Sequence, residues 1–207
     1  TTLFIINFLI WAWFLSILFT DSETVIERVQ NKVVEKIAPT ATPVPLPPLP
    51  TSYFLKSGTH AFQTFNNCGP ASLSMALSYY DIFVSQSVLG QELRPWQNSQ
   101  GDNDDKSVTL AEIAEKSKDF GLIPYHRPGG DAELVKRFIS QDMPVITRTD
   151  LETTSDIGHF RVIVGYADTT QKFLQDDSLQ GNDLYYSYQE YDTLWKTFGY
   201  EFLVLVP

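Results

Sequence analysis

Residues 65–80 read FNNCGPASLSMALSYY and carry the only cysteine of the 207-residue chain, Cys68. Pro70 suits the first turn of a helix, where its missing N–H would have had no partner. Leu73, Met75, Ala76 and Leu77 follow at helical spacing, so a helix is predicted from about Cys68 onward. A thiol at that position lies in the partial positive charge of the helix N-terminus, which favours thiolate. A lone cysteine forms no internal disulfide, so its place needs another reason.

Downstream, Thr109 and Glu112 form a capping box ahead of a second helix that ends by Gly121, and a third helix is predicted over about 131–140. The text then turns to strands: 144–147, HFRVIVGY at 159–166, KFLQ from Lys172, and YEFLVLV from Tyr200, with a short helix over 188–198 between the last two. Helices first and an antiparallel-leaning sheet second is an α+β arrangement. GDNDD at 101–105 lacks the twelfth-position Glu of a calcium loop and reads as solvated.

A thiol nucleophile needs a lowered pKa, a base within reach, a group to orient that base, and donors for the oxyanion. Of three histidines, His159 follows a glycine and begins the most hydrophobic strand, a rigid mount. His60 falls in the irregular approach to the helix and His126 in a Pro/Gly-rich loop. Asp176 and Asp177 end the next strand, which a hairpin returns to the start of the His159 strand. Alternation alone does not choose between them. Gln63, five residues before the cysteine, is placed to offer a carboxamide to the same oxyanion.

Gln63, NNCGPASLSMAL, GHFRVIVGY and FLQDDSL together resemble the papain-like cysteine peptidases, and within them family thirty-nine, the bacteriocin-leader-processing peptidases and their stand-alone relatives. The likeness runs from about Tyr53 to Pro207. It implies a papain-like fold, a peptide or protein substrate, and no cofactor or metal. Cys68 would be the nucleophile, His159 the base and then acid, Gln63 an oxyanion donor and Asp177 the orienting acid. The family has Asp-Pro where this chain has Asp177-Ser178, which leaves Asp176 as an alternative. No Walker motif accompanies these residues, so coupling to export is not implied. Two other readings stay open: a peptide- or cell-wall-binding module on the same fold, and an amide-transferring thiol enzyme.

The first fifty residues are organised differently. Leu3 to Phe19 is an uncharged apolar run long enough, at about 1.5 Å per residue, to span most of a bilayer, and residues 1–20 are expected to be an uncleaved transmembrane anchor. An amphipathic stalk helix is expected over 21–37 and a semi-rigid polyproline linker over 38–50, ahead of a domain at 51–207. Such spacers favour an extracytoplasmic domain, although Arg28, Lys32 and Lys36 after the apolar run argue for the cytoplasm. Three of 15 cations and four of 25 acids precede residue 51, so the remainder carries a net charge of −9. Without clustered cations, nucleic acid is an unsuitable partner.

Overall fold

The computed structural model describes residues 47–56, 58–95, 107–153 and 157–207. The expected anchor and stalk, and most of the linker, lie outside them. Among the described residues no helix is long and apolar enough to cross a membrane. Pro48–Pro207 forms one unit.

Its order is β1 (Ser52–Phe54), α1 (Cys68–Ser78), α2 (Gln86–Leu93), α3 (Leu110–Ser117), β2 (Ile123–Arg127), α4 (Ala132–Ile139), β3 (Val145–Asp150), β4 (Gly158–Ala167), β5 (Lys172–Asp177), β6 (Gly181–Ser187), α5 (Tyr188–Lys196) and β7 (Phe202–Val206). This is the expected α+β fold. One antiparallel sheet runs β2-β7-β3-β4-β5-β6, and β1 pairs with the far end of β4.

The helix α1 is buried on every side except at Ser74, which explains why its sequence is apolar and small rather than amphipathic. It packs with Phe160, Val162 and Val164 of β4 and with Ile113 of α3 on one face of the sheet. Gly69 makes the approach possible, since a Cβ there would lie 2.2 Å from Val108 Cγ2. Ile163, Phe173, Phe202, Tyr191 and Trp195 form a second core, with Val135 and Ile139 of α4. Its members on β4 and β5 alternate with those of the first, so the sheet is covered on both faces. A bulge between Ile163 and Gly165 breaks that alternation and brings Tyr166 into the second core.

Thr109 and Glu112 make the predicted capping box, and Gly121 ends the following 3-10 turn with a left-handed φ of 77°. Four elements were not expected: α2, β1, β2 and β6. One placement is corrected by β2. His126 lies in that strand rather than a loop, paired with Leu203, and its Nε2 is 2.8 Å from Glu201 Oε1. Isolated from its partner β7, IPYHRPGG looks like a turn because Pro124, Pro128 and two glycines flank it.

Candidate active site

Cys68 opens α1 behind a left-handed Asn66, with φ 50°, and the N-cap Asn67. Both ends of α2 clamp the segment before it. At the start, Gln86 accepts from Thr64 N at 3.0 Å and from Asn67 Nδ2 at 3.2 Å, and donates to Phe62 O. At the end, Arg94 Nη1 donates to Phe65 O at 3.1 Å, although its side chain is wholly buried. Gly90 lets α2 come this near, since a Cβ would meet Asn67 Oδ1 at 2.8 Å.

Cys68 as a whole is 6% exposed. Burial pushes its pKa up; the backbone N–H groups of Phe160, Gly69 and Cys68 oppose that, as does the charge of Arg94. Burial dominates, so the thiol is raised above its ordinary value. The helix mouth supplies the expected N–H donors without producing thiolate unaided.

Phe160, which meets the sulfur, is the next residue after His159 on β4. The His159 ring is buried, with Nε2 2.9 Å from Asp177 Oδ1. Strand register explains the meeting: Arg161 pairs directly with Asp177, and His159 lies two residues from Arg161 on the same face. Asp177 Oδ1 also accepts from Leu179 N at 2.8 Å and Gln180 N at 3.1 Å. Burial opposes ionisation of Asp177, but the His159 hydrogen bond, the charge of Arg161 and the Leu179 N–H more than offset it. Its carboxyl is therefore held below the usual range. Because the carboxylate only accepts, His159 Nε2 carries the hydrogen, which leaves Nδ1 as the basic nitrogen. Among the described residues no hydrogen bond joins Cys68 Sγ to that nitrogen; the thiol instead meets the backbone N–H of Phe160, the residue next to His159.

Asp176 points away from His159. Its Oδ2 accepts from Tyr79 OH at 2.9 Å and its Oδ1 from Asp183 N at 3.3 Å, and burial raises its pKa. His60 is not idle in an irregular segment: its Nε2 donates to the Asp177 carbonyl at 2.9 Å. Gln63 is joined to the same strand end at two points. Its N–H donates to Ser178 O at 2.8 Å, and its Oε1 accepts from Ser178 Oγ at 2.7 Å. With the carboxamide oxygen occupied, its NH2 is the end left for a ligand.

Sequence reading missed Arg161. It is fully buried, with Nε 3.0 Å from Asp177 Oδ2, Nη1 donating to Thr149 Oγ1 and, at 2.7 Å, to Asp150 O, and Nη2 donating to Leu151 O at 2.7 Å. The Nε–H is not aimed at Oδ2, so that contact is an ion pair rather than a directed hydrogen bond. The signal was present: an arginine two residues after His159 inside GHFRVIVGY, the sole charge in an apolar strand. No group of His, Cys, Asp and Glu suited to a metal occurs among the described residues.

A family model described as the Peptidase_C39 like family matches residues 52–202. No curated protein matches the chain in sequence. Among the solved structures that share the fold are the following three. A protein described as a C39-like peptidase of Bacillus anthracis aligns with a TM-score of 0.62 at 16% identity, covering 75% of this chain and 98% of that one. Xylellain, a cysteine protease from Xylella fastidiosa, gives 0.57 at 13%, covering 77% and 87%. The peptidase domain of Streptococcus ComA, a bifunctional ABC transporter of a quorum-sensing pathway, gives 0.54 at 20%, covering 73% and 99%.

Proposed function

The chain belongs to the Peptidase_C39-like family of cysteine peptidases, and from that premise we propose that it hydrolyses peptide bonds with Cys68 as nucleophile, His159 as base and acid, Asp177 as orienting acid and Gln63 as oxyanion donor. The observation that carries this reading is the buried 2.9 Å contact of His159 with Asp177, one residue from the backbone N–H that meets the thiol.

In the reaction, His159 Nδ1 takes the thiol proton as Sγ bonds to the substrate carbonyl carbon. The C=O electron pair moves to oxygen, where the Cys68 N–H and the Gln63 NH2 receive it. The tetrahedral species collapses and the C–N bond breaks, as His159 returns the proton to the leaving amine. Water, deprotonated by His159, then attacks the thioester and releases the acid and the thiol. Sγ and Nδ1 lack a direct bond at rest, and such contacts often tighten only when substrate is bound.

The test is acylation of the full chain, kept in detergent, by an activated peptide ester, with the acyl group located by peptide mass mapping. We expect a burst of leaving group, the acyl group on Cys68, and loss of both in His159→Ala. No acylation of Cys68, or acylation indifferent to His159, refutes the reading and leaves a peptide-binding module, which the burial of the thiol would suit.

We also propose that residues 1–20 anchor the domain to a membrane and that 38–50 hold it at the extracytoplasmic face. The uncharged run from Leu3 to Phe19 and the proline-rich spacing support this. Release from membranes by alkaline carbonate would count against the anchor, and protection from protease added outside would count against the side.

A further inference from the structure

We infer that the aromatic cavity on the sheet face opposite α1 is a binding site for a quaternary ammonium group. The site is separate from the triad proposed above and does not depend on it.

A cavity of about 300 Å³ opens between the start of α4, the helix α5 and the turn before β7. Tyr188, Phe173, Tyr191, Trp195 and Tyr200 wall it as a continuous arc, with successive ring centroids 4.6, 5.4, 6.0 and 5.5 Å apart. Successive ring planes are inclined by 54° to 79°, so the arc meets the enclosed space from several directions. Phe173, Tyr191 and Trp195 are buried, while Tyr188 and Tyr200 are half-buried at the two ends.

The backbone holds this wall in place. Gly130 lies against the indole, since a Cβ there would sit 2.6 Å from Trp195 Cη2. Tyr200 takes a left-handed φ of 58°, uncommon for a bulky residue. Its N–H donates to Trp195 O at 3.3 Å and its carbonyl accepts from Gly130 N at 3.0 Å, which keeps its ring beside the indole.

The polar ends of the inner rings are already engaged. Tyr188 OH donates to Asp168 Oδ1 at 2.8 Å, Tyr191 OH bonds with Thr147 Oγ1, and Trp195 Nε1 donates to Glu201 O at 2.7 Å. What these residues offer the cavity is therefore ring carbon. The charges at its rim are both negative: Asp131 and Asp192 line it, and among the described residues no lysine or arginine does. Asp131 is fixed by Leu134 N, which donates to its Oδ1 at 2.7 Å. Asp192 stands beside the Tyr200 hydroxyl, whose pKa is raised by burial and then by that charge.

Such a surface selects a cation that requires no acceptors. Ring quadrupoles and the two carboxylates attract its charge, and a quaternary ammonium brings no N–H for ring carbon to leave unpaired. A primary ammonium would bring three donors to walls whose hydroxyls are committed elsewhere. Lys136 does not fill the role: its Nζ lies 4.4 Å from the Tyr188 centroid but is held by Asp168, which balances its charge outside the cavity lining.

The test is titration of the full chain with choline, in a maltoside detergent that carries no quaternary ammonium, followed by saturation transfer to the trimethyl signal. Choline should bind saturably. It should bind at least about fivefold tighter than dimethylbutanol, its neutral carbon isostere, or ethanolamine, its primary-amine counterpart, the ratio expected for one partly desolvated cation–π contact. Glycerophosphocholine separates two sources of the group: binding as tight as choline's assigns a lipid-type headgroup, and weaker binding, which the rim carboxylates favour, assigns a free solute. In variants that keep the wild-type thermal transition, Asp192→Asn and Tyr200→Leu should each weaken choline by about fivefold. No saturable choline binding, or equal affinity for the isostere or for ethanolamine, overturns the inference even if neither variant folds. Folded variants that both bind choline as the wild type does place it elsewhere and overturn the inference too.

Discussion

Replacing Ser178 by alanine isolates one step in the placement of Gln63, the proposed oxyanion donor. The Ser178 hydroxyl donates to Gln63 Oε1 at 2.7 Å, while its carbonyl accepts from Gln63 N at 2.8 Å. Alanine keeps the backbone contact and removes only the bond that orients the carboxamide. A neutral hydrogen bond is worth about 1 kcal/mol net, or about fivefold in the population of the orientation it favours. Loss of an oxyanion donor outright costs about 100- to 1,000-fold in kcat. Ser178→Ala should therefore lower kcat by up to about fivefold, with KM and the thermal transition nearly unchanged, where Gln63→Ala loses far more. Steady-state kinetics on a peptide ester, run as a double-mutant cycle, decides the matter. In the Gln63→Ala background, removing the Ser178 hydroxyl should cost nothing further. An equal loss in both backgrounds, or no loss in either, refutes the orienting role.

Asp176→Asn should stabilise the protein at pH 7. Burial raises the Asp176 pKa in the fold, so its contribution is full below the unfolded value of about 3.9 and declines as pH rises through the folded value. The advantage of the asparagine variant in thermal melts should thus vanish near pH 3, and an advantage that persists there contradicts the assignment. Gly69→Ala places a Cβ 2.2 Å from Val108 Cγ2 and should cost about 1–3 kcal/mol, seen as a lower midpoint in urea. An unchanged midpoint would mean that α1 does not lie this close to Val108. Arg94→Met removes a cation that favours the thiolate, so alkylation of Cys68 should need higher pH, while Arg94→Lys should restore it in part. An unmoved profile in a folded Arg94→Met removes Arg94 from the electrostatics of the sulfur.

Much of this was legible in the chain because the informative residues act locally. The helix from Cys68, the Thr109 capping box and the strand of His159 each follow from spacing or from a cap within four residues. Elements whose existence depends on a distant partner were not legible. β2 holds two prolines at or beside its ends and is a strand because β7 pairs with it, and α2 is a short helix of weak pattern fixed by Asn67 and Arg94. The same division runs through the site. Cys68, His159 and Gln63 stand out in the sequence as candidates, but the separate surroundings of Asp176 and Asp177 needed the register, in which Asp177 lies opposite Arg161. Ser178 was visible only as a departure from an expected proline; its bond to Gln63 gives that departure a use.

Burial inverts a simple expectation about the thiol. A helix N-terminus was reason enough, in the sequence, to expect a thiolate. In the fold, burial of Cys68 outweighs both the N–H groups at the helix mouth and the charge of Arg94. Arg94 therefore works against the burial of the sulfur, and removing it should move Cys68 alkylation toward higher pH. General loosening of the site would admit water to the sulfur and move alkylation toward lower pH, so the sign of the shift in Arg94→Met distinguishes electrostatic control from a loss of packing.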